Sequence, residues 1–118
     1  MKTINFYYDV ISPYALLAFE AWPQAMLGVS HRVRHVPVLF AGMLAHHGQL
    51  GPAEIAPKRD WTYRQVAWLA HRAGVRLDMP TQHPFNPLAL QRLAAAACLP
   101  DMAGGGTSRF VTEALFQH

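Results

Sequence analysis

The sequence predicts an α/β fold that contains a strand, helix, strand unit, and three observations lead to this prediction. Residues 3–11 form a nearly unbroken apolar run, rich in β-branched and aromatic side chains, as in a parallel strand covered on both faces. The next segment has the signals of a helix, with a Ser12-Pro13 pair at its start and Gly28 at its end. Residues 32–40 alternate and then turn apolar, as in a second strand. Together these segments make a βαβ unit.

Individual residues indicate where the predicted helix and the second strand begin or end. The Ser12 hydroxyl can cap a helix over 13–27, and Pro13 suits its first turn, because the N–H that proline lacks would have no partner there. Pro23 is expected to kink or shorten this helix. In the second strand, Pro37 comes late enough to mark a bulge or the end of the strand.

The next part of the chain is predicted to form one long loop and then a helix. Residues 42–60 mix glycine, proline and histidine, which indicates a functional loop with one short helical turn at 43–47. Asp60 can cap the helix that follows, and Gly74 marks its end. Lys58 is therefore expected in the loop.

Two further helices are predicted before the last residue. One is capped by Asn86, has an apolar, alanine-rich face and ends at Pro100. A flexible glycine run at 104–106 follows. Thr107 or Ser108 can then cap the other helix, which has no stop signal.

We divide the chain into residues 1–41, which form the βαβ unit, and residues 42–118, which form the loop and the later helices. Two strands do not close a parallel sheet, and a two-stranded sheet is marginal by itself. We therefore expect the 118 residues to be the first half of a longer protein. Exposed strand edges would then favour self-association.

The composition excludes several classes of protein. The chain is 52% hydrophobic and 14% charged, which fits one globular unit with a single core. The net charge of +3 is spread over several elements without a basic stripe, so no nucleic-acid partner is expected. No segment resembles a signal peptide or a membrane span, so we expect a cytoplasmic protein without membrane contact. The single cysteine, Cys98, leaves no Cys-x-x-Cys pair and no intrachain disulfide.

The junction of the first strand and the first helix is a candidate anion site. Amide groups at a helix N-terminus lack partners, and the helix dipole adds about half a positive charge there. A thiol bound at this corner would lose its proton more readily, and the Ser12 hydroxyl can donate one further hydrogen bond to the thiolate. The alternative is that Ser12 serves as a helix cap. Asp9 can orient the site or help to cap the helix.

Other catalytic and metal motifs are missing from the sequence. No G-x-S-x-G motif is present, which argues against a serine hydrolase. Four histidines, His46, His47, His71 and His83, show no i, i+4 pairing with a carboxylate or cysteine partner. We therefore expect no metal, and predict solvated or hydrogen-bonded loop histidines.

The run FYYDVISPYALLAFE at residues 6–20 resembles the opening of the kappa-class glutathione transferases and of the 2-hydroxychromene-2-carboxylate isomerases. The resemblance covers nearly all of residues 4–99 and continues through VPVLF, GQLGP, PK at 57–58, YRQVAWLAHRAGV and MPTQHPFNPLALQRL. These proteins belong to the thioredoxin-like superfamily with a DsbA-type helical insertion. The resemblance thus implies a thioredoxin-like βαβ unit with an α-helical insertion, incomplete here because the second half of the sheet is absent.

The resemblance also implies a glutathione site. The family serine that matches Ser12 hydrogen-bonds the sulfur of glutathione. The position of a family asparagine that contacts glutathione is taken here by Gln49, which keeps the amide and is one methylene longer. Lys58 matches a lysine that pairs with a glutathione carboxylate, although a loop lysine is also commonly just solvated.

The implied function is that of a glutathione-dependent isomerase of the 2-hydroxychromene-2-carboxylate type, acting in the degradation of aromatic compounds. A kappa-like glutathione transferase and a non-catalytic thioredoxin-like binding domain are the alternatives. Tyr14, Trp61 and Phe85, with Met43, are candidate pocket residues for a small aromatic substrate, although aromatic residues at such positions also serve as core. We expect a homodimer.

Overall fold

The computed structural model describes residues 1–100 and 105–118. Its sheet has two parallel strands, β1 (Lys2–Tyr8) and β2 (His31–Pro37), which are joined by helix α1 (Pro13–Ala25). The remaining elements are α2 (Phe40–His46), a short 3-10 turn (Pro52–Glu54), α3 (Ala56–Ala73), α4 (Leu88–Ala96) and α5 (Arg109–Phe116). Among the described residues, no helix is long and apolar enough to cross a bilayer. The predicted α/β fold and its βαβ unit are confirmed.

The alternation of side chains along β1 places the core on one face of the sheet. Tyr8 is 1% exposed and packs with Ala94 of α4 and Leu115 of α5. Phe6, two residues earlier, lies on the same face and packs against this cluster. Tyr7 points the other way and is 61% exposed. Within the described residues, the prediction that this strand is covered on both faces is therefore wrong, because the helices cover one face.

A second cluster holds α3 against α1. Leu17 of α1 packs with Val66 and Ala70 of α3, all three buried. Gly74 follows α3 with a φ of 66°, in the left-handed region that glycine adopts without strain. This is the predicted end of the helix. The packing brings α3 alongside α1, next to the candidate anion site.

Several predicted boundaries in the first half of the chain are wrong, among them the end of the second strand, which lies at Pro37 and not at residue 40. The first strand ends at Tyr8 and not at residue 11, because the next residues turn to reach α1. Helix α2 is longer than the single turn predicted at 43–47. Helix α3 begins well before the predicted cap at Asp60, since Pro57 is accommodated in its first turn. Lys58 consequently lies in this first turn and not in a loop.

The later helices follow their predicted caps with small shifts. Ser108 caps α5, and its hydroxyl accepts a hydrogen bond from the Val111 amide at 3.2 Å. The Asn86 side chain accepts from the Leu88 amide at 3.0 Å, at the start of α4. This helix ends at Ala96, before the predicted stop at Pro100. The first residue of the predicted glycine run, at 104, lies outside the described residues.

A buried polar chain ties the segment before α5, and α5 itself, to the sheet. The Tyr8 hydroxyl lies 3.0 Å from the Thr107 hydroxyl, which in turn lies 2.8 Å from that of Thr112. The Thr107 amide donates to the His35 carbonyl at 2.9 Å, so this segment also pairs with β2. Residues of both predicted parts share this core, and the division at residue 41 stays a prediction.

Candidate functional site

A buried aspartate fixes the backbone between β1 and α1. Asp9 is 3% exposed, and its carboxylate accepts from the Ile11 amide at 3.1 Å and from the Phe40 amide at 2.9 Å. Its carbonyl accepts from the Ser12 amide at 3.0 Å. Phe40 is the first residue of α2, so the carboxylate caps α2 and not α1. Asp9 thus joins the starts of two helices and orients the residues around Ser12, which we call the Ser12 corner (residues 9–12).

Ser12 is the N-cap of α1, as predicted. Its Oγ accepts a hydrogen bond from the Ala15 amide at 3.2 Å. The hydrogen of the same hydroxyl has no acceptor among residues 1–100 and 105–118. Pro13 has no amide hydrogen, and the Tyr14 amide makes no hydrogen bond within those ranges. The start of α1 therefore presents one hydroxyl hydrogen and one backbone amide that are available to a ligand.

Gln91 supports the corner from α4, a role that the sequence did not predict. The side chain is 5% exposed, and its Nε2 donates to the Tyr8 carbonyl at 3.1 Å and to the Val38 carbonyl at 2.7 Å. Its Oε1 accepts from the Val10 amide at 3.3 Å. These bonds satisfy backbone groups where both strands end. The available signal was a glutamine beside the apolar face of a predicted helix, where a buried amide needs several partners.

His83 and Tyr63 support the corner from the opposite side. His83 Nε2 lies 2.8 Å from the Ile11 carbonyl, and its Nδ1 lies 2.7 Å from the Tyr63 hydroxyl. The Tyr63 hydroxyl also donates to the His83 carbonyl at 2.8 Å. His83 is thus one of the predicted hydrogen-bonded histidines. Its partnership with the residue before Ser12 has no local signal in the sequence.

A cavity of about 970 Å³ opens beside the corner. Ser12 and Leu16 of α1 form one wall, and the segment after α3 together with the end of α5 forms others. Phe85 and His83 also line it. Most of the lining is apolar, with the Ser12 hydroxyl and the His83 ring among its polar groups, as is typical of a small-molecule site.

The predicted site residues divide between this cavity and the surface. Ser12 and Phe85 line the cavity. The cavity wall does not include the other five, which are all exposed: Tyr14, Met43, Gln49, Lys58 and Trp61. The Tyr14 hydroxyl donates to the Gln65 side chain, and Trp61 is 61% exposed on α3. Their roles toward glutathione or a substrate stay predictions.

Two buried titratable groups lie in the core behind the corner. Burial raises the pKa of the Tyr8 phenol, and its hydrogen bonds with Thr107 and Thr112 oppose this shift. Burial also lowers the pKa of His35, whose Nδ1 has no hydrogen-bond partner among the described residues. Both groups are therefore neutral at pH 7. They contribute packing and hydrogen bonds, and add no charge to the site.

The histidines do not gather in one place. The His46 and His47 rings contact each other, with centroids 5.0 Å apart, while the His83 ring is held by Tyr63. In the part of the chain that the structure describes, no group of three or more His, Cys, Asp or Glu side chains is arranged to hold a metal ion.

Comparison with known proteins gives two matches. Residues 3–116 match the family model of the DSBA-like thioredoxin domain. The chain is also 26% identical over 106 residues to glutathione S-transferase kappa 2 of Caenorhabditis elegans, an alignment that covers 85% of this chain and 47% of that protein. The chain thus spans about half the length of this curated relative. No solved structure shows a significant match.

Proposed function

The chain belongs to the DSBA-like thioredoxin domain family, and on this premise we propose that it is a glutathione-dependent enzyme whose thiolate site is the Ser12 corner. One observation carries the proposal. The Ser12 hydroxyl accepts from the Ala15 amide and keeps its own hydrogen for an acceptor in the adjoining cavity. A sulfur placed there would meet the hydroxyl and the Tyr14 amide together.

The corner supplies the electrostatics that a thiolate needs. The N-terminus of α1 carries about half a positive charge, and a thiol in such a position loses its proton more readily. Each well-placed donor in a comparable anion hole contributes about 3 kcal/mol to transition-state stabilisation. Cys98, the cysteine of the chain, lies beyond α4 and outside the cavity wall. The reactive sulfur is therefore proposed to arrive with the ligand.

The peptide part of glutathione is proposed to reach the N-terminus of α3. Lys58 lies in the first turn of this helix, where its own charge is opposed by the helix dipole. A carboxylate bound there would interact favourably with both positive charges. Gln49, exposed after α2, is proposed to bind the peptide backbone of glutathione through its side-chain amide.

The finer proposal is an isomerase of the 2-hydroxychromene-2-carboxylate type, acting in aromatic degradation. The thiolate adds to an unsaturated carbonyl compound, forming a C–S bond while the electron pair of the double bond moves to the carbonyl oxygen. Rotation follows about the bond that has become single. The electron pair then returns, the C–S bond breaks and glutathione is released unchanged. The apolar cavity wall, including Phe85, suits a small aromatic substrate.

A glutathione transferase is the second candidate, and the similarity to the transferase of C. elegans favours it. Such an enzyme would form the same C–S bond and release the conjugate. A binding domain without turnover is a third possibility, which fits the exposed positions of Gln49 and Lys58. For all three, a homodimer stays part of the proposal.

Calorimetry with glutathione tests the site. Two serine variants are compared, one at a helix cap that lines the cavity and one at a helix cap that does not. Ser12→Ala and Ser108→Ala each remove a helix cap and should each lower the free energy of unfolding by about 1 kcal/mol. Ser108 is absent from the cavity wall. We expect Ser12→Ala alone to weaken glutathione binding, by about tenfold or more. Absence of binding to the unsubstituted protein would remove every glutathione-dependent function proposed here.

Product analysis separates the two enzyme candidates. An isomerase consumes its substrate while the concentration of glutathione stays constant, whereas a transferase converts glutathione into a conjugate in equal amount. Mass spectrometry of a reaction with a 2-hydroxychromene-2-carboxylate measures both. Binding of glutathione with no turnover of any unsaturated carbonyl compound would favour the binding domain.

A further inference from the structure

His83 makes contacts that the thiolate chemistry above does not use. Its Nε2 lies 2.8 Å from the Ile11 carbonyl, which is 72 residues away in sequence. Its Nδ1 lies 2.7 Å from the Tyr63 hydroxyl of α3. The ring is half-buried and forms part of the wall of the cavity that Ser12 also lines. His83 thus links α3 to the corner at the edge of the site.

The partners of the ring define which nitrogen carries the proton. A carbonyl oxygen has no hydrogen to donate, so Nε2 must be the donor to Ile11. In the neutral ring, Nδ1 is then an acceptor, and it shares the single hydrogen of the Tyr63 hydroxyl with the His83 carbonyl, which lies 2.8 Å from the same hydroxyl oxygen. The Ile11 carbonyl thus sets the tautomer, and the contact with Tyr63 helps to hold the ring in the orientation in which Nε2 faces that carbonyl.

The Ile11 carbonyl belongs to the peptide group whose nitrogen is that of Ser12. At the other end of this peptide group, the Ser12 amide donates to the Asp9 carbonyl at 3.0 Å. Both polar atoms of one peptide plane are thus fixed, the oxygen by His83 and the nitrogen by Asp9. Since the plane cannot rotate without breaking one of these bonds, the position of the Ser12 Cα is fixed, and the bond from the Ala15 amide then holds the Ser12 Oγ.

We propose that His83, oriented by Tyr63, is a positioning residue that holds the Ile11–Ser12 peptide so that the Ser12 hydroxyl faces the bound sulfur. This inference rests on the proposed function, because it assigns His83 to the same thiolate site. His83 acts through the backbone and need not touch glutathione. Loss of its Nε2–H should therefore change the geometry at Ser12 before it changes the overall fold.

Three variants at this link and one elsewhere separate positioning from stability. His83→Phe keeps a ring and removes the donor to Ile11, whereas His83→Gln keeps an N–H donor at similar reach. Tyr63→Phe removes the hydroxyl that orients the ring. His31→Phe is the matched control. His31 also bonds a backbone carbonyl, that of Val29 at 2.7 Å, but beyond the far end of α1.

Two measurements are made on each variant. In the free protein, the amide resonance of Ser12 reports the peptide plane, and we expect it to move in His83→Phe and to return toward its original position in His83→Gln. With glutathione bound, thiolate absorbance against pH gives the pKa of the bound thiol. We expect His83→Phe to raise that pKa by about half to one unit, Tyr63→Phe by less, and His31→Phe not at all.

The two readouts distinguish the possible failures. An unmoved Ser12 amide in His83→Phe would overturn the positioning role, whether or not glutathione binds. A moved amide with an unchanged pKa of the bound thiol would also overturn it, because the peptide plane would not control the sulfur. A moved amide in a protein that forms no thiolate with glutathione would leave the backbone link in place and overturn the proposed function. Equal pKa changes in His83→Phe and His31→Phe would reduce His83 to a structural residue.

Discussion

The two ends of the proposed glutathione site differ in how firmly the fold holds them. At the Ser12 corner, buried side chains of Asp9 and Gln91 bond the surrounding backbone. At the other end, Gln49 and Lys58 present exposed side chains. A fixed donor stabilises developing charge without reorganisation, whereas an exposed side chain loses conformational freedom when it binds. We therefore expect the Ser12 corner to control the rate of the chemical step, and the exposed Gln49 and Lys58 side chains to control the affinity for glutathione.

The largest effect is expected from a substitution of Asp9 in the Ser12 corner. Asp9→Asn replaces one carboxylate oxygen by an NH₂ group, which would face either the Ile11 or the Phe40 amide, both of them donors. We expect the free energy of unfolding to fall by about 2–3 kcal/mol and catalytic activity to be lost. Urea unfolding measures the first and a glutathione-dependent assay the second.

Asp78→Asn, at an exposed position of the cavity wall, provides the comparison for the loss of stability alone. Asp78 pairs with Arg76 at 2.6 Å, but both side chains are largely exposed, at 71% and 89%. The expected loss of stability is below about 1 kcal/mol. Equal losses in the two variants would show that Asp9 does not organise the corner.

The Ser12 corner also shows how much of the site the sequence could predict. The βαβ unit and the caps at Ser12 and Ser108 follow from neighbouring residues, because a helix N-terminus is built from contacts within one turn. The bond of Asp9 to Phe40 spans 31 positions of the sequence, and the bond of His83 to Ile11 spans 72. Such pairs have no periodicity, so local patterns do not reveal them.

The early start of α3 has a different cause. Asp60 is a good capping residue, and the sequence predicts that the helix starts there. In the structure the helix starts at Ala56 without any side-chain cap. Packing of Val66 and Ala70 against α1 stabilises the helix as a whole, and Pro57 is compatible with its first turn. Tertiary contacts thus outweigh the local capping preference.

An intermediate effect is expected at the exposed end of the site. Lys58→Met keeps the length of the side chain and removes its charge. We expect the KM for glutathione to rise by about twofold to fivefold while kcat stays nearly constant, since an exposed ion pair contributes about 1 kcal/mol or less to binding. Steady-state kinetics at varied glutathione concentration measures both constants.

The dependence of glutathione binding on salt gives a second test of Lys58. Raising the ionic strength should weaken glutathione binding in the unsubstituted protein more than in Lys58→Met, because exposed charges are screened. A fall in kcat with unchanged KM would contradict the assignment of Lys58 to affinity.

The smallest expected effect concerns the core beneath the corner. Burial lowers the pKa of His35 from 6.5, so the unfolded chain takes up a proton at a higher pH than the folded protein. Stability should therefore be constant with respect to this group above about pH 7 and should fall as the pH drops below 6.5. His35→Phe should remove this part of the acid dependence. Urea unfolding at pH 7.5 and 5.5 measures it, and identical acid dependence in both proteins would contradict the account.

A crystal structure of the protein with glutathione would show where the thiol binds. We expect the sulfur at the start of α1, within hydrogen-bond distance of the Ser12 hydroxyl and the Tyr14 amide, with the Ser12 Oγ still bonded to the Ala15 amide. Glutathione bound elsewhere, or its sulfur turned away from Ser12, would contradict this expectation.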